Sequence, residues 1–512
     1  MSRNTIGREI PASLPGLGAL APFAGAWARG TRGSAGRKLL SAGRPSKVLD
    51  SLDEAIRRSG LESGMTVSFH HHFREGDYVV NMVMDAIARA GIRDLTLAPS
   101  SLTSIHAPLL EHVRSGVIRR IYTSGLRGGL ADAISRGEME IPVVIHSHGG
   151  RARAIMEGSI APDVAFLGVP YCDTYGNARG SVGKSACGSL GYAMVDAKAA
   201  KSVVLLSDGI VDYPAIPASI GQDLVDWVVP VDAVGDPKGI SKGATRMTRD
   251  PRELLIARNA VAAIDALGLV KEGFSFQNGS GGASLAVVRY LRELMLARGV
   301  KAAFVLGGIT SQVTDMLQEG LIGAVFDVQT FDADAARSMA ANPRHFEIDA
   351  SCYANPASKG CAAEMLDFVI LSALEIDESF NVNVITGSDG VIRGASGGHS
   401  DTAASAGVSI IVAPLVRGRT ASVVRRVETV ITPGETVDVL VTDFGTAVNP
   451  RRKDLRERLE AGGVKVMDIA ELRGKAESIA GIPDPVEYAD RVVGLVEYRD
   501  GSVIDVIRQV RA

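Results

Sequence analysis

Residues 68–77 read "SFHHHFREGD": three consecutive histidines, His70, His71 and His72, followed by Arg74, Glu75 and Asp77. Such a stretch can hold a metal, supply a base or recognise an anion. Successive side chains of an extended strand point to opposite faces, so three adjacent histidines cannot all meet one ion. No cysteine or carboxylate at metal-ligand spacing accompanies them, and His106, His112, His146 and His148 lie unanchored elsewhere. Anion recognition fits these residue types better, because Arg74 can grip a carboxylate with a bidentate fork. No metal is expected.

Two glycine-rich stretches suit a related task. "FQNGSGGASLAVVRYL" (276–291) reads as a strand end, a loop of small residues (Gly279, Ser280, Gly281, Gly282) and a helix. Glycines let backbone N–H groups approach an anion closely, although a tight turn without a ligand has the same spacing. "RGASGGHSDTAASA" (393–406) again sets a glycine loop before a small-residue helix. Gly397 and Gly398 can present adjacent N–H donors as an oxyanion hole, with His399 adding a side-chain donor. A crowded packing turn would look alike. A third stretch, "ARGSVGKS" (178–185), matches a permissive phosphate-loop pattern with Ala178 in place of the first glycine. It follows a turn and runs into "ACGSLG", a poor helix start, so nucleotide hydrolysis is set aside.

The elements that must position these loops alternate between helix and strand periods. "LDSLDEAIRRSGL" and "DYVVNMVMDAIARAG" have the helical period. "MTVSF", "DLTLAPS", "AFLGVP" and "SVVLLSD" are short apolar runs of buried-strand type. This alternation predicts an α/β fold with mainly parallel sheets. The chain also echoes itself. "GLESGMTVSF" (60–69) returns as "GLVKEGFSF" (268–276), and "DVAFLGVPYCDTYGN" (163–177) as "DFVILSALEIDESFN" (367–381). Two tandem copies of one α/β unit follow, at about 200 residues each. The expected organisation is a basic N-terminal arm over 1–46, a first domain over 47–247 and a second over 248–512, closed by "SVIDVIRQV" as a last strand. In this alignment "HHHFREGD" lies opposite "QNGSGGAS", which puts the histidines in a strand-to-helix loop.

Bulk properties exclude several classes. The chain has 512 residues, 46% hydrophobic and 22% charged, with a net charge of −3, so it carries no overall basic footprint for nucleic acid. No apolar run is long enough to span a membrane. Cys172, Cys187, Cys352 and Cys361 form no CxxC pair, which suits free thiols in a reducing, cytoplasmic compartment. Before Lys47 the charge is different: Arg3, Arg8, Arg29, Arg32, Arg37, Lys38 and Arg44 face a single acid, Glu9. This reads as a flexible or partner-facing arm rather than a secretory signal.

The motifs "SFHHHFREGDYVVNMVMDAI", "IYTSGLRGGLADAISRGE", "IHSHGGR", "VAFLGVPYCDTYGNARG", "GATRMTRDPRELLIARNA", "SALEIDESFNVNVITGSDGVIRGASGGHSDTA" and "IVAPLVRGR" together resemble the α subunits of bacterial citrate lyases, over about residues 46–510. The halves also resemble the wider CoA-transferase superfamily, through Asp173, Gly176 and Asn177 and through "GASGGHSD". The resemblance implies an acyl-carrier transferase that exchanges acetate for citrate on a carrier thioester. The implied partners are a β lyase subunit and a γ carrier subunit in an oligomer. The implied prosthetic group is the carrier's phosphoribosyl-dephospho-CoA arm, with no cofactor bound by this chain itself.

A carboxylate is already ionised at neutral pH, so its attack needs alignment and oxyanion stabilisation but no general base. Where CoA-transferases of this kind carry a covalent glutamate, this chain reads "FVLGGITS" (304–311), without an acid. Direct attack by substrate through a mixed anhydride is therefore expected, with Glu375 the nearest candidate for the opposing view. His70, His71, His72 and Arg74 are assigned to citrate, Gly279 to Gly282 to the carrier arm, and Gly397, Gly398 and His399 to the oxyanion. The transferase subunit of a citramalate or related lyase is the enzyme alternative. A non-catalytic ligand sensor on the same fold is the other.

Overall fold

The computed structural model describes residues 2–3, 8–14, 18–19, 22, 46–241, 248–279 and 281–511. Two compact units are present, residues 1–46 and 47–512. In the first, Ser2–Arg3 pairs with Glu9–Ile10 and Ser13–Leu14 with Gly18–Ala19, both antiparallel. The expected flexible arm therefore contains short paired segments among its described residues.

The second unit is built on two large sheets. In chain order the strands of the first are β1 (Thr66–Phe69), β2 (Leu95–Pro99), β3 (Ile118–Thr123), β4 (Val143–Ile145), β5 (Val164–Val169), β6 (Ser202–Ser207) and β7 (Trp227–Pro230). Those of the second are β8 (Phe274–Asn278), β9 (Ala302–Ile309), β10 (Ile322–Thr330), β11 (His345–Glu347), β12 (Phe368–Ser372), β13 (Val408–Val412), β14 (Val439–Val441), β15 (Thr446–Val448) and β16 (Val466–Met467). A closing hairpin, β17 (Tyr488–Glu497) and β18 (Val503–Val510), ends the chain. The sheet orders are β7-β6-β5-β1-β2-β3-β4-β17-β18 and β11-β10-β9-β8-β12-β13-β14-β15-β16. Read from the opposite edge, the last seven strands of the second sheet repeat the spatial order of the first seven of the first: β14-β13-β12-β8-β9-β10-β11 answers β7-β6-β5-β1-β2-β3-β4. Pairing is parallel except at β14–β15 and β17–β18.

The expected parallel α/β architecture is present, and its strands fit their runs. β5 is buried along its whole length, as a strand covered on both faces must be. The second core stacks Phe274, Phe276 and Phe368, with ring centroids 5.7–5.8 Å apart. One expectation is corrected. The C-terminal hairpin does not stay with residues 248–512 but extends the first sheet, where β17 runs parallel to β4. The apolar alternation of "SVIDVIRQV" specified a strand but not its partner. The boundary stretch 242–247 lies outside the described residues. Among the described residues no helix is long and apolar enough to cross a membrane.

Four helices carry the residues used below: α1 (His148–Met156), α2 (Gly191–Ala199), α3 (Gly282–Arg298) and α4 (His399–Ser405). Ser147 caps α1, its hydroxyl accepting the Gly150 amide at 2.9 Å. α3 stops at Gly299, whose φ of 65° and amide bonds to Met295 and Leu296 close the last turn. An apolar cluster containing Ala152, Val195, Leu306, Val328 and Tyr353 packs the two sheets' elements together.

α1 and α2 are tied by a fully buried ion pair. Arg151 reaches Asp196 with two bonds of 2.9 and 3.0 Å and also donates to the Ala98 carbonyl at 2.7 Å. Removing the cation strands a buried carboxylate, which costs about 3–5 kcal/mol. Arg151→Met should therefore lower the thermal midpoint, while Arg151→Met combined with Asp196→Leu should recover most of it. A double variant as unstable as the single one would show that the ion pair is not the cause.

Candidate active site

A cavity of about 510 Å³ opens at the carboxyl ends of the parallel strands, where α/β sheets bind ligands. The loops after β1, β2, β3 and β4 line it from one half, and those after β8, β12 and before α4 from the other. His71 and Arg74, Gly279, Gly281 and Gly282, and Gly397, Gly398 and His399 all reach it. Ser280 lies outside the described residues.

The three histidines do alternate, but the member that reaches the cavity is the middle one. His71 lines the cavity, whereas His70 and His72 are not on its wall. His70 donates from Nε2 to the Gly168 carbonyl at 2.8 Å and accepts the His72 amide on Nδ1 at 3.3 Å. His72 Nε2 accepts the Tyr192 amide at 3.2 Å. These two rings hold the loop and α2 in place, which corrects their assignment to citrate. Ser100 Oγ accepts the His71 amide at 3.0 Å and sits 2.5 Å from Nδ1, so His71 presents Nε2 to the cavity. Burial holds His71 and His72 well below the usual imidazole range, helped by His148 beside His71 and by His70 beside His72. They are neutral hydrogen-bonding groups, not cations. Among the described residues no group of three or more His, Cys, Asp or Glu is arranged to hold a metal ion.

Positive charge comes from arginine. Arg74 has φ of 54°, a left-handed conformation that costs a side-chain-bearing residue about 1 kcal/mol. Its guanidinium lies 5.0 Å from the Phe331 ring centroid and donates to the Phe331 carbonyl at 3.0 Å. Burial and then the neighbouring Arg127 charge push its pKa down to about 10, so it stays charged at neutral pH. Arg127, exposed on the cavity wall, makes no ion pair among the described residues. Arg74 and Arg127 thus face one space, an arrangement that an anion would relieve, and Arg393 and Arg417 also line it.

The glycine loops supply N–H donors. Gly397 has φ of 57°, and among the described residues neither it nor Gly398 gives its N–H to a backbone carbonyl. His399 differs from expectation. Its Nε2 donates to the Ser372 carbonyl at 3.0 Å and its Nδ1 accepts from Thr432 Oγ1 at 2.7 Å. Both ring nitrogens are occupied, so His399 braces the loop and has no N–H left for an oxyanion. Gly279 gives its N–H to the Ile370 carbonyl at 2.8 Å, while α3 begins at Gly282 with no side-chain cap. A Cβ on Gly281 would stand 2.4 Å from Ser372 Oγ, and one on Gly282 2.8 Å from Glu253 Oε2, so a side chain at either position would push those neighbours aside.

Sequence reading missed His148, Tyr192, Tyr353 and Gln277, which also line the cavity. Tyr192 stacks on His71 at 4.8 Å and meets His148 at a tilt, 4.5 Å between ring centroids, and Gln277 donates to Tyr353 Oη at 3.0 Å. "IHSHGGR" was the available signal for His148, but nothing in its spacing linked it to residues 250 positions away. The phosphate-loop look-alike is not built as one. Lys184 Nζ binds the Asp232 carbonyl at 2.5 Å, and the next helix after the loop starts only at Gly191.

Comparison with known proteins settles the kinship. The family model for citrate lyase, alpha subunit, matches residues 45–510. The chain belongs to the citrate lyase α-subunit family. The citrate lyase alpha chain of Klebsiella pneumoniae is 61% identical over 468 residues, 91% of this chain and 92% of that one. A solved citrate lyase α subunit from Streptococcus mutans, in complex with citrate, superposes with a TM-score of 0.90 at 52% identity, covering 100% of both chains. A Pseudomonas malonate decarboxylase structure shares the fold alone, with a TM-score of 0.63 and 16% identity over 85% of this chain and 86% of that one.

In this citrate lyase α-family chain Glu375 is not on the cavity wall. It is buried, accepting Asn383 Nδ2 at 2.9 Å and the Glu428 amide at 3.1 Å, which fits a structural role. Asp401 on α4 accepts Ser147 Oγ at 2.7 Å and the Gly149 amide at 2.8 Å, so one carboxylate joins α4 to the N-terminus of α1. Burial raises its pKa to about 6 against the pull of those bonds and of Arg499. A carboxyl raised this way favours the fold most when protonated. Its contribution is complete below about pH 4 and disappears as pH rises through about 6, a change of roughly 3 kcal/mol. Asp401→Asn cannot titrate. Unfolding free energies measured between about pH 4 and pH 7 should show the wild type losing roughly that amount relative to the variant. A constant difference would contradict the assigned titration.

Proposed function

We propose that the chain exchanges acetate for citrate on an acyl-carrier thioester, taking acetyl-carrier and citrate to citryl-carrier and acetate. The observation that carries this reading is one cavity bounded by Arg74, Arg127 and His71 on one side and by two glycine loops on the other. The citrate named in the Streptococcus mutans structure supports the choice of acid.

Arg74 and Arg127 meet the carboxylates that do not react, and His71 donates Nε2–H to one of them. The Gly281–Gly282 cradle at the start of α3 holds the carrier's phosphoribosyl-dephospho-CoA arm, which when bound supplies the acyl thioester. Gly397 and Gly398 offer N–H groups to the oxygen of the attacked carbonyl. A citrate carboxylate attacks the acetyl thioester, the thiolate leaves, and a mixed anhydride forms. The thiolate then attacks the citryl carbonyl and acetate departs. No proton moves, which suits a site whose histidines are held neutral. The carboxylates on the wall are Glu75, which accepts Ser104 Oγ at 2.7 Å, and Glu253. Thr310 follows β9 where a covalent glutamate would stand.

The matched strand orders support reading the halves as copies of one CoA-transferase-like unit, with domains over 47–247 and 248–512 and the closing hairpin exchanged to the first. So do the twin turns. Asp173 binds the amides of Tyr175 and Asn177, and Asp377 those of Ser379 and Asn381. The β and γ partners, an oligomeric assembly and a cytoplasmic setting belong to the same reading.

Arg74→Ala should raise the KM for citrate by about 10- to 100-fold and leave that for acetyl-carrier within about twofold, since one charged hydrogen-bonding group is lost. Equal effects on both substrates would reject the assignment. Citramalate run beside citrate tests the choice of acid. Intact-mass analysis after incubation with acetyl-carrier alone tests direct attack: an acyl or carrier adduct on a glutamate would overturn it.

A further inference from the structure

His148 is the one histidine that borders both the His71 side of the cavity and the Gly397 loop. As the first residue of α1, it donates its backbone N–H to the Gly397 carbonyl at 2.8 Å. Its Nε2 stands 3.8 Å from where a Cβ on Gly397 would be, so the ring edge looks directly at that loop. Tyr192 at 4.5 Å and His71 at 5.4 Å between ring centroids fix the plane of the imidazole. Its Nδ1 is buried and without a hydrogen-bond partner. His148 is the first residue of α1, at the positive end of the helix, which favours a lone pair on that nitrogen over a proton. The ring proton then belongs to Nε2, on the cavity side.

We propose that His148 is a catalytic residue whose Nε2–H completes the oxyanion hole formed by the backbone N–H groups of Gly397 and Gly398. This deepens the transferase reading and rests on it. As the citrate carboxylate oxygen bonds to the thioester carbon, the carbonyl π pair moves onto oxygen and His148 hydrogen-bonds that oxygen. When the pair returns, the carbon–sulfur bond breaks and the thiolate leaves. The imidazole keeps its proton throughout. Burial and then Arg151 hold its pKa down to about 3, so it remains uncharged through the working range. The charged and titratable groups around it are His71, Tyr192 and Arg151, with Asp401 bound to the next amide, Gly149. An uncharged donor at a helix N-terminus stabilises developing negative charge without inviting proton transfer.

The test uses the full chain with acetyl-carrier and citrate. His148→Ala should lower kcat by about 100- to 1,000-fold, while the citrate Kd from calorimetry stays within about threefold. His148→Gln, which keeps an N–H donor, should recover at least about tenfold over alanine. The shape of the pH–rate profile should not change. A kcat within about threefold of wild type, a citrate Kd that rises as much as kcat/KM falls, or loss of a limb of the profile would each overturn the proposal. Should the wild type exchange no acetate for citrate, the transferase reading fails instead. Nitrogen NMR of labelled histidine separates the two cases. It should show His148 neutral with its proton on Nε2 from about pH 5 to 8, and an Nδ1–H tautomer would refute the inference by itself.

Discussion

The docking of the N-terminus of α1 onto Asp401 is the contact on which the site depends. Each half of the molecule supplies only part of the cavity wall, and neither part has complementary chemistry alone. Asp401 takes the Gly149 amide and the Ser147 hydroxyl, and the adjacent His148 amide takes the Gly397 carbonyl. Three bonds within three residues thus register the glycine loop of one half against the start of α1 in the other. The first unpaired amides of a helix are its strongest hydrogen-bonding feature, and a buried carboxylate is the acceptor best suited to them. A second contact steadies the same seam: Gly125 and Ala395 form a bridge, with the Leu126 amide on the Gly394 carbonyl and the Ser396 amide on the Ser124 carbonyl.

Charge in the cavity follows from which groups can stay ionised when buried. Imidazole loses its proton in such surroundings, whereas guanidinium keeps it even when its pKa falls to about 10. Histidine and arginine therefore take different roles in one loop. His71 is a directional donor or acceptor, and Arg74 is a permanent cation. Arg151, sealed against Asp196, is not available to a substrate, yet its charge helps keep the imidazoles neutral. That division places a permanent cation beside neutral imidazoles that take up no proton at neutral pH.

Much of this was legible in the sequence. Short apolar runs placed β1, β2, β5 and β6, because parallel strands covered on both faces need no alternation. The internal echo put residues 70–77 opposite residues 277–284, and both loops do reach the cavity. What was not legible depends on tertiary register. Alternation said that the histidines split between faces, but only the pairing of His70 with Gly168 decides that the outer two turn inward. His399 looked like a free donor because neither Ser372 nor Thr432 is near it in sequence. The strand character of 503–510 was plain, but a strand pattern does not name the sheet edge it will join.

The same geometry bears on discrimination between the two acids that the proposed reaction handles. Acetate has a single carboxylate, which is consumed in the anhydride, so it offers nothing to Arg74 and Arg127. Citrate retains charged groups for both after its reacting carboxylate has been committed. With Arg74 and Arg127 on its wall, the site therefore holds the incoming acid through parts that do not react and lets the outgoing acid go, the use of remote binding interactions expected when chemistry itself needs little assistance. Mutual repulsion of Arg74 and Arg127 sharpens this. Only an acid that brings spare charge to both groups relieves that repulsion in the bound state, which citrate can do and acetate cannot.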